Sequence, residues 1–425
     1  MRIGFGFPVA VALLASLLAG QQISLAGGAS RRTIVQGHVR AFHSHHQFTQ
    51  PKPVQAVPTL NVRDFGAVGD GVTDDTNAIQ NTFNAAQAAG KGVLFPAGIY
   101  LHTSTITANS IPLFGVGAAS TLLANNPSST ALILTGVSPS IQNMVVSSVP
   151  ASTGIIDITP TDSTLLVDAA QGFVVQNITI VQGTGRIGIY LHQSAVGNVS
   201  AVTLNGTGDP QDWGIFISGC ANTSLLGNLL LNEGLSITTD TLNPTTSTSI
   251  AVIGNSINTN VNNNNTRGII VGNGRVNDFY IAQNQIQLGG AGFALEAAAG
   301  DAITITQNVT DGGSFGIFFA NTGNFNSITQ NTIRNCSGPA IVVQSLGGAG
   351  NLPIIGNQFG ECGLGGSGAV VSLNLHNGPD GTTVLNNVYA GHQNMLTFFV
   401  VSNIHINLFA GNTQTQTALA NIIPP

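Results

Sequence analysis

Only 11 basic and 17 acidic side chains occur in the 425 residues, so a place where they gather is conspicuous. Four of them stand in a regular relation to glycine. Arg186 and Asp212 each lie two residues before Gly188 and Gly214, and Glu233 and Arg267 each lie one residue before Gly234 and Gly268. Each glycine opens a short apolar run. If those runs stack as neighbouring strands, the four charges form an edge in the order Arg, Asp, Glu, Arg, about 14 Å long at three strand spacings. Asp209 and Trp213 belong to the turn of Asp212, and Tyr190 and His192 alternate outward on the strand that follows Arg186.

These residue types can do two kinds of chemistry. Two neighbouring carboxyl groups such as Asp212 and Glu233 can serve as general acid and base, because the charge of one raises the pKa of the other. Alternatively Asp209, Asp212 and Glu233 are oxygen ligands suited to Ca²⁺. Arg267 or His192 would then remove a proton beside a substrate carboxylate. Trp213 and Tyr190 offer ring faces for stacking, and Arg186 a cation for an anionic substrate. A plainer account is that opposite charges were set in adjacent coils to neutralise one another, each exposed pair contributing about 0–1 kcal/mol.

The elements that must position these residues show in the spacing. An Asn recurs between apolar residues at positions 177, 198, 228, 255, 284, 308, 331, 357 and 387. A glycine followed by an apolar residue, as at Gly188-Ile189, Gly214-Ile215, Gly268-Ile269 and Gly316-Ile317, follows most of these. Repeats of this period with short strands and no helical pattern between them predict a solenoid. Each repeat is one coil whose apolar face can be buried only against its neighbours, stacked about 4.8 Å apart. Asn suits both the left-handed backbone of a tight turn and an amide ladder along the stack. The expected fold is therefore all-β, a single-stranded right-handed parallel β-helix of about ten coils.

The open ends of such a stack must be covered. Residues 74–89 predict a capping α-helix, with Thr73 as N-cap, Asp74 and Asp75 in the first turn, and an apolar face of Ala78, Ile79, Phe83 and Ala86 ended by Gly90. The stretch 93–101 predicts two strands bent at Pro96–Gly98.

Ahead of this domain, residues 1–29 combine Met1-Arg2, an apolar run from Ile3 to Ala19 and small residues at Ala26–Ala29, the pattern of a cleaved secretory signal. An uncleaved membrane anchor is the alternative. Residues 30–58, with Arg31, Arg32, Arg40, His43, His45, His46 and three prolines, read as a flexible linker or, through the histidines, a metal-binding tract. The β-helix is expected over 59–412 and a tail over 413–425. A net charge of −6 and 7% charged residues exclude a nucleic-acid-binding surface and a disordered solvating chain.

Three cysteines are too few for a disulfide scaffold. Cys336 and Cys362 each follow a repeat Asn by five residues, so they fall in equivalent places of adjacent coils, about 5 Å apart and within disulfide range. That spacing allows a bond or two free thiols, and Cys220 stands alone.

The segment DFGAVGDGVTDDTNAIQ followed by VLFPAGIY resembles the N-terminal capping segment of the pectate-lyase-like superfamily, which includes polygalacturonases, many lyases and phage tailspikes. The resemblance implies a β-helix and makes Asp70, Asp74 and Asp75 structural. The polygalacturonase signatures and the Trp-Ile-Asp-His of classical pectate lyases are absent. Asp209-Pro210-Gln211-Asp212 is similar to the Asp-Pro-His-Asp of mannuronan epimerases, with Gln211 where that motif carries a His able to titrate. The resemblance implies a secreted carbohydrate-active protein, extracellular or periplasmic, free of a membrane span once its signal is cleaved. It would be a glycoside hydrolase or polysaccharide lyase on an extended polymer. The rival expectation is a non-catalytic glycan-binding or adhesion protein on the same scaffold.

Overall fold

In a computed structural model the described residues run from 57 to 418, except 152–162, 210–211, 239–245, 260–267, 273–275, 290–291, 299, 321–322, 345–351, 363–370, 377–381, 391–396, 403–405 and 415–416. The expected signal segment, almost all of the linker with its histidines, and the last residues of the tail lie outside them.

The chain winds as a right-handed parallel β-helix of about ten turns. Each coil lays down three short strands, which join three parallel ladders. One coil consists of Ile187–His192 in ladder I, Ala195–Ser200 in ladder II and Thr203–Asn205 in ladder III. The next repeats this with Trp213–Ser218, Ala221–Leu226 and Leu229–Leu231. Alternate side chains point inward. In ladder I, Leu165, Ile189, Ile215, Leu235, Ile269, Leu295, Ile317 and Ile341 form one continuous buried column. No coil could bury that column by itself, so its apolar contact area belongs to the stack.

Between ladders II and III the chain turns on two residues. The first is left-handed, for example Gln283, Gln307 and Gln330 at φ 56–57°, and the second is the repeat asparagine. Asn228, Asn255, Asn284, Asn308, Asn331, Asn357, Asn387 and Asn412 form one buried ladder, each amide donating to the next side-chain oxygen at 2.9–3.0 Å. Each amide also donates to a backbone carbonyl of the coil before it, as Asn308 does to Ile281 at 2.9 Å. From Asn255 onward each oxygen also accepts the backbone N–H of the preceding ladder asparagine, as Asn331 does from Asn308 at 2.9 Å. The asparagine is thus the ladder residue, and the residue before it carries the strained backbone.

Two expected members differ. Asn177 is the left-handed turn residue at φ 50°, joined to Asn143, and Asn198 lies within a ladder II strand opposite Ser224. In their coils the ladder position holds Ile178 and Val202. Asn412 extends the ladder beyond the expected set.

The cap is the helix Thr76–Ala89, which buries Ile79, Thr82, Phe83 and Ala86 and is closed by left-handed Gly90. Phe83 meets Phe95 edge-on at 6.1 Å between ring centres. The helix starts two residues later than its pattern suggested. Asp74 ends a strand and accepts bonds from Thr76 and Thr103, while Thr73 is held by Asp70. Asp75 is the N-cap residue, yet its buried carboxylate accepts from Val68 and Gly69 at 2.7 and 2.9 Å, tying the preceding loop to the helix start. All three aspartates are therefore engaged in holding the cap.

Cys336 and Cys362 are joined as a disulfide with Cα atoms 4.4 Å apart. Cys220 is a buried free thiol, its pKa pushed up to about 12 by desolvation.

Candidate functional site

The turns entering ladder I gather the charged residues. Register places Ile187 beside Trp213, so Arg186 and Asp212 occupy equivalent positions one coil apart. Ile215 pairs with Leu235, which sets Glu233 beside Trp213, one position displaced from Asp212. The displacement does not separate the carboxyl groups. Thr207, on the loop between them, donates its hydroxyl to Asp212 Oδ2 at 2.6 Å, and that hydroxyl oxygen also lies 3.3 Å from Glu233 Oε1. The two carboxyl oxygens are therefore no farther apart than the sum of 2.6 and 3.3 Å.

Backbone fixes both acids. Asp212 accepts from Gly185 N–H at 3.0 and 3.2 Å, and Glu233 accepts from Gly208 N–H at 2.8 Å. A side chain at 206 would collide with the Glu233 stem, so Gly206 makes room for it. Asp212 is 5% exposed and Glu233 3%. Desolvation is the main cause that lifts Asp212 to about 6 and Glu233 to about 8; the charge of Asp209 adds to both shifts and that of Asp212 to the shift of Glu233. Both acids are thus pressed toward protonation, Glu233 more strongly than Asp212.

The other expected residues are placed as follows. Asp209 is partly exposed, and its carbonyl accepts from Asp212 N–H at 3.0 Å. Arg267 lies outside the described residues. Arg186 was expected to reach substrate, but it is 1% exposed. Its guanidinium donates to the carbonyls of Val149, Ser129 and Asn126 at 2.8, 2.9 and 2.7 Å, so it fastens its own coil to those before it. Tyr190 is also fully buried and offers no open ring face. It packs edge-on against Phe216 at 5.2 Å, in an apolar cluster on the outer side of ladder I with Leu166 and Ile187. Trp213 borders that cluster and stays partly exposed. The outward charge ridge is thus corrected to a buried carboxyl pair with a structural arginine alongside.

His192 Nδ1 lies 2.7 Å from Asp168 Oδ1 in the preceding coil. Sequence reasoning missed Asp168. The signal was its register with His192, legible only once the irregular strand Ser163–Gln171 is aligned.

Among the described residues no group of three metal-ligating side chains is placed to hold an ion. The oxygens of Asp212 and Glu233 instead accept from the Thr207 hydroxyl and from the Gly185 and Gly208 amides, so the lone pairs that the Ca²⁺ reading needs are already engaged.

The sequence family described as rhamnogalacturonase A/epimerase, pectate lyase-like, matches residues 59–136. That match is confined to the N-terminal part of the fold, and the chain as a whole is a right-handed parallel β-helix. Its family match covers the cap and first coils and ends before Asp168. Mannuronan C5-epimerase AlgE1 of Azotobacter vinelandii is 63% identical over 41 residues, 9% of this chain and 3% of the epimerase. Plasmin and fibronectin-binding protein A of Streptococcus pneumoniae is 57% identical over 44 residues, 10% of this chain and 6% of that protein. The matched stretches are thus small fractions of the relatives' lengths, and one β-helix is compared there with an epimerase and a binding protein alike. Among solved structures, the catalytic domain of Agl-KA superposes with a TM-score of 0.66 at 14% identity, over 84% of this chain and 69% of that one. That likeness is one of fold.

Proposed function

We propose that this β-helix is a polysaccharide hydrolase whose acid–base pair is Glu233 and Asp212. One observation carries the reading: two buried carboxyl groups meet at one hydroxyl, and desolvation presses Glu233 further toward protonation than Asp212. Environments that push two acids apart in this way are how one site holds both an acid and a base at pH 7. Glu233 would protonate the leaving glycosidic oxygen, and ionised Asp212 would attack or shield the sugar carbon. The separation, bounded by the two contacts to Thr207, is shorter than the gap of about 6.5–9.5 Å that admits a water in inverting enzymes, which favours a retaining course. Exposed Thr207 bridges the pair, so substrate would approach over it, with Trp213 beside it for ring stacking. The long outer surface of the coils suits a polymer. The short likeness to mannuronan C5-epimerases supports a carbohydrate-directed role for the scaffold. An exported location fits the signal pattern of residues 1–29, and no helix among the described residues is long and apolar enough to cross a membrane.

A second reading, a non-catalytic glycan-binding protein, is favoured by the burial of both carboxyl groups, since a half-protonated pair can also simply weld two coils. Incubation with a panel of acidic and neutral polysaccharides separates the two. New reducing ends without ultraviolet-absorbing unsaturated ends support the hydrolase. Unsaturated ends would mean a lyase, and binding without products would favour the second reading.

A further inference from the structure

A second group of reactive side chains lies at the opposite end of the ladder I strands, where each coil turns toward ladder II. Register pairs Asp168 with His192, and His192 with Ser218, so an acid, an imidazole and a hydroxyl occupy one column on three consecutive coils. The column faces away from the solenoid core, because the neighbours Val167, Leu191 and Ile217 are the residues that point into it. Asp168 Oδ1 lies 2.7 Å from His192 Nδ1, which fixes the ring from the side of the preceding coil. The next side chain in the column is Ser218, about one strand spacing on, at roughly 4.8 Å. Ser218 Oγ is fully buried and makes no hydrogen bond among the described residues. A buried hydroxyl left unsatisfied costs stability and calls for an explanation.

We infer that Asp168, His192 and Ser218 form a nucleophilic relay that hydrolyses carboxylic esters of small acyl groups. The roles follow from connectivity: an acid orients the imidazole through one nitrogen, and the other nitrogen takes the serine proton. Ser218 ends its strand and is followed by Gly219 with a left-handed backbone at φ 63°, so the nucleophile sits at a tight turn on the strand end. Its hydroxyl and the imidazole are not yet in hydrogen-bond contact, and catalytic contacts of this kind often close only around substrate. Full burial of Ser218, two residues after Phe216 on the same face of its strand, limits the acyl group to a small one.

The step balances without any co-reactant but water. Ser218 Oγ bonds to the ester carbonyl carbon while its proton passes to His192 Nε2. The carbon–oxygen bond to the alcohol breaks, and the alcohol departs with that proton. Water then attacks the acyl-serine, gives its proton to the imidazole, and releases the carboxylic acid with the proton returned to Ser218. Asp168 is a positioning residue and exchanges no proton. This site shares no residue with the carboxyl pair, so the two can fail independently.

The test uses the whole protein with p-nitrophenyl acetate as substrate and a fluorophosphonate as covalent probe. The probe should add once, at Ser218 by peptide mapping, and Ser218→Ala should abolish both labelling and turnover with unfolding unchanged. Asp168→Asn should lower kcat by about 10³–10⁴-fold with KM little altered, the split expected when the ring is held wrongly rather than substrate bound worse. His192→Gln should match Ser218→Ala in turnover. Absence of labelling, labelling elsewhere, or equal turnover in Ser218→Ala and wild type would each overturn the relay.

Discussion

Two sets of buried polar groups cross between coils, and they behave oppositely. Along the turns from Asn228 to Asn412 the groups are amides, neutral, with oxygen and nitrogen both engaged by the neighbouring coils. At the entry to ladder I they are the acids Asp212 and Glu233, which accept hydrogen bonds yet remain desolvated and pressed toward protonation. An amide both donates and accepts, so a stack of identical amides satisfies itself at every rung. Two carboxylates can only accept, so bringing them together stores an unfavourable interaction that one proton relieves. The first arrangement gives stability, and the second leaves two acids pressed toward protonation. Upstream of Asn228, where the ladder position passes to Val202 and Ile178, the interior is apolar and the inter-coil polar contacts move to the edges.

The largest effect should come from breaking the amide stack in its middle. Asn308→Ala removes four hydrogen bonds and strands the N–H of Asn284 and the carbonyl of Ile281, at a cost of about 3–5 kcal/mol. Denaturant unfolding would show it, and a loss below about 1 kcal/mol would mean the ladder is ornamental. Next in size is the disulfide in the same stretch. Cys336→Ser should cost about 2–4 kcal/mol, and denatured, unreduced wild-type protein should titrate as one free thiol, Cys220.

The carboxyl pair should instead show itself through pH. Both acids keep their proton to a higher pH folded than unfolded, so protons favour the folded chain. Their contribution is complete below the ordinary values of 3.8 and 4.5, and is lost as the pH rises through about 6 for Asp212 and about 8 for Glu233. The melting temperature should fall across that window, and Glu233→Gln should flatten the upper part. An unchanged slope in Glu233→Gln would place the titrating group elsewhere. Smallest of all is the exposed Arg334–Asp311 pair, 3.0 Å apart, where Arg334→Ala should shift stability by less than about 1 kcal/mol.

The difference between the two regions also explains what could be read from residues alone. The β-helix and the proximity of Cys336 to Cys362 follow from periodicity, because a residue that stacks on its own kind must recur at each coil, and the cap follows from its own helical spacing of Ile79, Phe83 and Ala86. Asn177 and Asn198 misled for the same reason: they share the spacing, but lie one residue before the ladder position or inside a strand. The site was legible only as a gathering of charges. Nothing in composition tells that Arg186 turns its guanidinium inward to three carbonyls, or that Thr207 stands between Asp212 and Glu233. Those contacts join residues through loops of irregular length, for which no repeat supplies a register. Asp168 escaped notice because its strand pairs irregularly with the coil before it.

The most direct test of the account is the pH dependence of polysaccharide cleavage by wild type, Asp212→Asn and Glu233→Gln. The expected wild-type profile is a bell, rising through about 6 as Asp212 ionises and falling through about 8 as Glu233 loses its proton. Each variant should lose activity by at least about 10²–10³-fold while unfolding at a temperature close to or above that of wild type. Equal activity in all three proteins, or a profile without those two limbs, would contradict the assignment of the acid and base to Glu233 and Asp212.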